Sequence, residues 1–80
     1  MKDSAHFRDM LKERRIRLEW ADRTVRDPDG VEDHHDEGTR HFLKCIPEFG
    51  GRWLRVIVNI TEEPNKRVTA FFDRRLRRQL

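Results

Sequence analysis

The ten residues Arg52-Trp53-Leu54-Arg55-Val56-Ile57-Val58-Asn59-Ile60-Thr61 constrain the fold more than any other stretch of the chain. Four of them are β-branched aliphatics, which suit a pleated, half-buried surface. Read with period two, the run has two unlike faces. Leu54, Val56, Val58 and Ile60 make an aliphatic face that needs helices packed on it. Trp53, Arg55, Ile57, Asn59 and Thr61 make a mixed face, free to meet solvent or a ligand as antiparallel sheets commonly allow.

The N-terminal third has helical spacing instead. Phe7, Met10, Leu11 and Arg14 predict a first helix over Ala5 to Arg14, with Ser4 as its N-cap. Leu18, Ala21 and Val25 predict a second over about 18–26. Asp27-Pro28-Asp29-Gly30 then reads as a turn, because Pro fixes φ and Gly permits φ > 0. After it the period changes to two. The expected strands are Val31–His35 at an edge, Thr39–Ile46 closed by Pro47, the central run, and Val68–Asp73. The fold class is therefore α+β, with two N-terminal helices on one face of a four-stranded antiparallel meander.

The 80 residues predict a single domain over 1–80, with a basic tail at about 74–80. A chain this short buries only about 60% of its unfolded surface, so the core is small. Composition is 35% hydrophobic against 41% charged, but the apolar residues fall into periodic runs, which favours a folded domain. Cys45 is the single cysteine, so no internal disulfide can form, which fits a reducing, cytoplasmic location. No stretch reads as a signal peptide or approaches the ~20 apolar residues of a membrane span, so no membrane association is expected.

Charge is unevenly placed. Residues 27–37 hold six acids and no Lys or Arg, whereas residues 66–80 hold six bases and one acid, Asp73. Most of the bases are arginines, whose guanidinium matches phosphate in a bidentate fork. A phosphate-bearing partner and an ordinary solvated surface both fit this pattern.

Extending the two faces to neighbouring strands predicts that Leu43 and Cys45 join the helix side, since the alternative would bury Arg40 and Lys44. The open face would then carry Arg40, Lys44 and Arg55 among Phe42, Trp53 and Phe71. Cations interleaved with aromatics suit RNA, whose phosphates pair with Arg and Lys and whose bases stack on rings. The competing reading is a second apolar layer covered by the tail or by a partner. Asp33-His34-His35-Asp36-Glu37 has ligand-type side chains, but adjacent residues of a strand point apart, so no metal or other cofactor is expected. The sequence contains no P-loop and no dinucleotide fingerprint.

Several residues in order also carry a family resemblance: His6, Glu13-Arg14, Ile16, Asp27-Pro28-Asp29, Leu54-Arg55-Val56-Ile57-Val58 and Val68-Thr69-Ala70-Phe71. Together they resemble an uncharacterised bacterial family of short proteins similar to the RelE/ParE and BrnT toxins of toxin–antitoxin pairs. Met10 stands where that pattern has Arg, and Arg15 where it has Gly. The resemblance implies a RelE-like sheet, an antitoxin protein as partner and ribonuclease activity.

Metal-independent cleavage of RNA needs a base, an acid and cations for the phosphorane charge. His6 and His41 are the expected proton carriers, and Arg14, Arg40 and Arg55 the expected phosphate ligands. Lys44, Trp53, Phe71, Arg74 and Arg75 are the expected RNA contacts. The alternative is a non-catalytic module of the same fold that binds a protein segment or self-associates, as a homodimer, through an edge strand. A DNA-binding role ranks third, because no recognition helix is evident.

Overall fold

The structure is a computed structural model and describes residues 1–76. Its centre is the predicted aliphatic run, which forms strand β4 (Arg52–Asn59). Leu54, Val56 and Val58 are fully buried there. β4 pairs antiparallel with β3 (Thr39–Ile46) on one side and with β5 (Lys66–Phe72) on the other. β2 (Gly30–His34) extends the sheet beyond β3.

A further strand, β1 (Lys2–Asp3), closes the opposite edge by pairing parallel to β5. The sheet is thus five-stranded and mixed, in the order β1-β5-β4-β3-β2, rather than four-stranded and antiparallel. Two residues are too few to show a period, which is why β1 leaves no trace in the sequence. What holds it is Arg67 on β5. Its guanidinium donates to Asp3 and Asp22, each at 2.6 Å, and lies over the Phe7 ring. One side chain thereby ties together β1, β5 and both helices.

β1 also changes the start of helix α1 (Phe7–Glu13). The Ser4 N–H donates to the Arg67 carbonyl, and the Ser4 carbonyl accepts from Phe7 in a turn. His6, not Ser4, occupies the N-cap position, and its side chain makes no capping bond. Phe7 and Leu11 bury one face of α1. The helix ends in a left-handed residue, Arg15 at φ 57°, after which the Ile16 N–H returns to the Leu11 carbonyl at 2.8 Å. That is the position and conformation where helices commonly use glycine.

Helix α2 (Leu18–Arg26) has the predicted bounds but a rotated inner face. Trp20, Ala21 and Thr24 are buried, while Leu18 and Val25 sit at its margin. Thr24 is accepted into the core because its hydroxyl donates to the Trp20 carbonyl at 2.8 Å. Trp20 packs with Phe49 and Phe72, whose rings stack at 4.6 Å. These side chains meet Ile46, Leu54, Val56, Val58 and Ala70 in one core between helices and sheet.

The β3 register differs from the sequence expectation. Directly paired residues share a face. Phe42 pairs with Val56 and Lys44 with Leu54, so Arg40, Phe42, Lys44 and Ile46 lie on the helix side. His41, Leu43 and Cys45 lie on the open side, with Ile57, Arg55 and Trp53. Burying Ile46 and half-burying Phe42 outweighs the two cations. Their long stems reach the margin of the core and deliver their charges to carboxylates there.

Turn chemistry fixes the register of β2 against β3. A single 3-10 turn, His35–Glu37, is closed by Gly38 at φ 67°. A Cβ at Gly38 would lie 2.5 Å from Cγ2 of Thr61, so both conformation and space demand glycine. Among the described residues no helix is long and apolar enough to cross a membrane. Within the predicted basic tail, Arg74 and Arg75 lie in a turn, and residues 77–80 are outside the described residues.

Candidate functional site

The open face of the sheet gathers titratable side chains at the β2–β3–β4 end. Period two puts Glu32 and His34 of β2 on one face, opposite His41 and Thr39 of β3. His41 in turn lies beside Ile57, and Leu43 beside Arg55, on β4. Phe71 of β5 is the other neighbour of Arg55. Asp73, just beyond β5, completes the group; its N–H donates to the Trp53 carbonyl.

Arg55 is the hub. Its side chain is only 6% exposed. Nε donates to Asp73 Oδ2 at 2.9 Å, and Nη1 donates to Glu32 Oε1 and to His41 Nδ1, each at 2.8 Å. Because a guanidinium only donates, His41 must accept at Nδ1. The imidazole is then neutral, with its proton on Nε2. Burial, together with the neighbouring His34 and Arg55 charges, holds the His41 pKa below its ordinary value, in agreement with that protonation state. Among the described residues nothing accepts from the buried His41 Nε2. An unsatisfied buried donor costs about 1–3 kcal/mol; Thr39 Oγ1 on the same strand is likewise without a partner among the described residues.

His34 lies over His41 with ring centroids 3.8 Å apart and an interplanar angle of 17°. Its Nε2 is 3.2 Å from Glu32 Oε1. Hydrogen bonds from Arg55 and then His34 lower the Glu32 pKa and keep that carboxylate ionised. On the far side of Arg55, the Arg75 side chain, then its backbone, then Arg55 itself lower the pKa of Asp73. Two imidazoles, two carboxylates and two guanidinium groups are therefore linked at the end of one sheet face. Beside them lies an unroofed strip of Trp53, Phe71 and Ile57, each half-buried.

Of the residues the sequence singles out, the fold brings only His41, Arg55 and Arg75 into this cluster, with Trp53 and Phe71 adjoining it. Arg40 lies on the opposite face, where its Nε is 2.5 Å from Asp33 Oδ1. Lys44, also on that face, donates to the Asp27 carbonyl and pairs with Asp29. His6 and Arg14 line a shallow groove on α1 with Asp9, Met10 and Glu13. Arg14 donates there to the Ala70 carbonyl at 2.7 Å and to Thr69, so it braces β5. Arg74 is exposed in the turn after Asp73.

The expectation that Arg40 and Lys44 share a face with Arg55 is therefore overturned by the β3 register. The members of this cluster run from Glu32 on the second strand to Arg75 beyond the fifth. Residues 4–72 match the model of a protein family described as a domain of unknown function, DUF4258. The chain belongs to the DUF4258 family. No curated protein and no solved structure matches the chain.

Three members of the DUF4258 chain's cluster escape a reading of the sequence alone. Glu32 and His34 alternate on a strand that reads as merely polar. Asp73 shares a face with Phe71, but its partner Arg55 is eighteen residues away. The signal that finds them is the pairing of Glu32 with His41, which needs the β2–β3 register.

Proposed function

We propose that the chain is a toxin-like component of a bacterial toxin–antitoxin pair, of RelE-like fold, and that it cleaves RNA without a metal on its open sheet face. The observation that carries this is the meeting of Glu32, His34 and Arg55 within hydrogen-bonding reach, beside half-buried aromatics. A carboxylate, an imidazole and a guanidinium are the set that a ribose 2′-hydroxyl needs to attack its own phosphate.

In this reading Glu32 takes the 2′-hydroxyl proton as the 2′-oxygen bonds to phosphorus. Protonated His34 gives a proton to the departing 5′-oxygen. The products are a 2′,3′-cyclic phosphate and a 5′-hydroxyl. Arg55 stabilises the charge on the phosphorane, and His41 holds Arg55 in place through Nδ1. A phosphate arriving at Arg55 competes with Glu32 for that guanidinium. The loss of that hydrogen bond raises the Glu32 pKa and makes the carboxylate a better base. Trp53 and Phe71 offer rings on which unpaired bases stack. The chain then works in the cytoplasm, beside an antitoxin protein that covers this face.

The test is growth arrest on induced expression in a bacterial host, run beside Glu32→Gln, His34→Gln and Arg40→Ala. Arrest by the parent and by Arg40→Ala, relieved by the other two as folded proteins, supports the reading. Arrest unaffected by Glu32→Gln and His34→Gln refutes it.

A second reading has its own observation. Arg55 and Arg75, the two cations of the open-face cluster, are each already paired with a carboxylate. A face so neutralised, with Trp53, Phe71 and Ile57 unroofed, suits a non-catalytic module that binds a protein segment or a second copy of the chain. A stable complex that shields Trp53, with no RNA cleaved, would favour it.

A further inference from the structure

We infer that Glu32, His34 and His41 form a binding site for a borderline transition-metal ion of the Zn2+ class, in competition with Arg55. The inference stands apart from the RNA reading, since it concerns what the three donors bind and not what they catalyse.

One ligand atom from each of the three residues lies within 4.8 Å of the others. Two imidazoles and a carboxylate are a donor set that suits Zn2+, Co2+ or Ni2+, with water in the remaining position. A tetrahedral ion at ~2.0–2.1 Å from each ligand spaces its donors about 3.4 Å apart. The stacked His34 and His41 rings do not yet aim their nitrogens at one point, so Glu32 must rotate inward and His34 must leave the stack to complete the site. Both have the freedom for it, because β2 is an edge strand, Glu32 is exposed and His34 half-exposed. His41 supplies the fixed point: it is 7% exposed, and its Nε2 has no partner among the described residues.

Arg55 is what the ion must displace. Its Nη1 already serves Glu32 Oε1 and His41 Nδ1 as a cation would. An ion on His41 Nε2 requires that nitrogen's proton to move to Nδ1. Nδ1–H and the guanidinium N–H are then both donors at 2.8 Å and repel, so Arg55 swings away, retained by Asp73. Metal-bound and Arg55-bound states are mutually exclusive. No proton is lost overall, because His41 only changes tautomer.

The experiment is titration of the chelator-treated full chain with Co2+, read by visible d–d absorption, followed by Zn2+. Expected are one equivalent of Co2+, the intense spectrum of tetrahedral coordination, and its loss on adding Zn2+. His34→Gln and Glu32→Gln, both on the solvent-exposed edge, should each weaken binding at least tenfold while leaving the circular dichroism of the parent. Nitrogen NMR should show the His41 proton move from Nε2 to Nδ1 as Zn2+ is added. A weak octahedral spectrum, binding unchanged in both variants, or a His41 tautomer that stays as it is would each overturn the inference. RNA cleavage enters none of these readouts, so failure here leaves the proposed function untouched, and its failure leaves this site standing.

Discussion

Arg55 and Asp73 form an ion pair at 2.9 Å whose two side chains are 6% and 2% exposed. Two charges this far from water are tolerated only because each is also bonded elsewhere, Arg55 to Glu32 and His41, and Asp73 to Arg75. Removing one partner leaves the other buried and uncompensated. Asp73→Ala should therefore destabilise the fold by about 3–5 kcal/mol in urea denaturation. A loss under 1 kcal/mol would show that Arg55 finds water when its partner is gone.

The same carboxylate sets an acid limit. Asp73 is held well below the usual carboxylate range by Arg75 first and Arg55 after it, and Glu48 is lowered to about 2 by the bidentate Arg23. A depressed folded-state pKa gives stability that is complete above the unfolded values, about 3.9 for Asp and 4.3 for Glu. It is lost as pH falls through that range toward the folded values. Stability should thus be flat in this respect above about pH 5 and fall steeply below about pH 4. Asp73→Asn should flatten that fall, measured as the urea midpoint from pH 7 to pH 3.

Arg15 adopts φ 57°, a conformation that favours glycine over a residue bearing a Cβ. Its side chain is exposed. Arg15→Gly should stabilise the chain by about 0.5–1 kcal/mol, the relieved strain exceeding the added freedom of the unfolded state. Thermal unfolding of the two proteins side by side decides it, and an unchanged or lower midpoint would mean that the Arg15 side chain contributes something its exposure does not suggest.

Gly38 is the converse case. Gly38→Ala meets both an unfavourable φ and Thr61 Cγ2. It should cost about 1–3 kcal/mol. Adding Thr61→Ser removes the methyl but not the backbone strain, so the double variant should recover part of the loss and not all of it. Full recovery would mean that space alone excludes a side chain there.

Trp53 gives an optical handle on the open face. If RNA lies there, a short single-stranded oligoribonucleotide should quench the fluorescence of Trp53 and leave that of buried Trp20 unchanged. Trp20→Phe should keep the quenching, and Trp53→Phe should abolish it. Arg40→Ala, on the other face, should shift the apparent Kd by less than about twofold, as expected for an exposed ion pair distant from the ligand.

The sequence was most legible where one residue type dominated one period. The aliphatic face of β4, the bounds of α2 and β3, and the turn at Pro28 all follow from local pattern. β3 was ambiguous because both of its faces are mixed. Phe42 and Ile46 compete with Leu43 and Cys45 for the core, and the choice depends on how Arg40 and Lys44 can be neutralised. Their partners, Asp33, Asp27 and Asp29, come from another part of the chain, so no local rule could weigh them. β1 was invisible for a like reason, since its anchor Arg67 lies sixty-four residues from Asp3. The candidate site was half legible. His41 and Arg55 fall on recognisable strands, but Asp73 lies just beyond β5, and Glu32 and His34 acquire meaning only once β2 is laid against β3.

That last dependence has a kinetic side. β2 is bonded into the sheet along β3 alone, and its outer edge is bare among the described residues. It can peel away without breaching the core, in the manner of the low-energy openings that hydrogen exchange detects. Each such excursion carries Glu32 and His34 off and leaves His41 and Arg55 behind on the body of the sheet. The cluster is therefore assembled and taken apart at the rate at which one short strand zips and unzips, and any partner that adds a strand along β2 would set how long it stays whole.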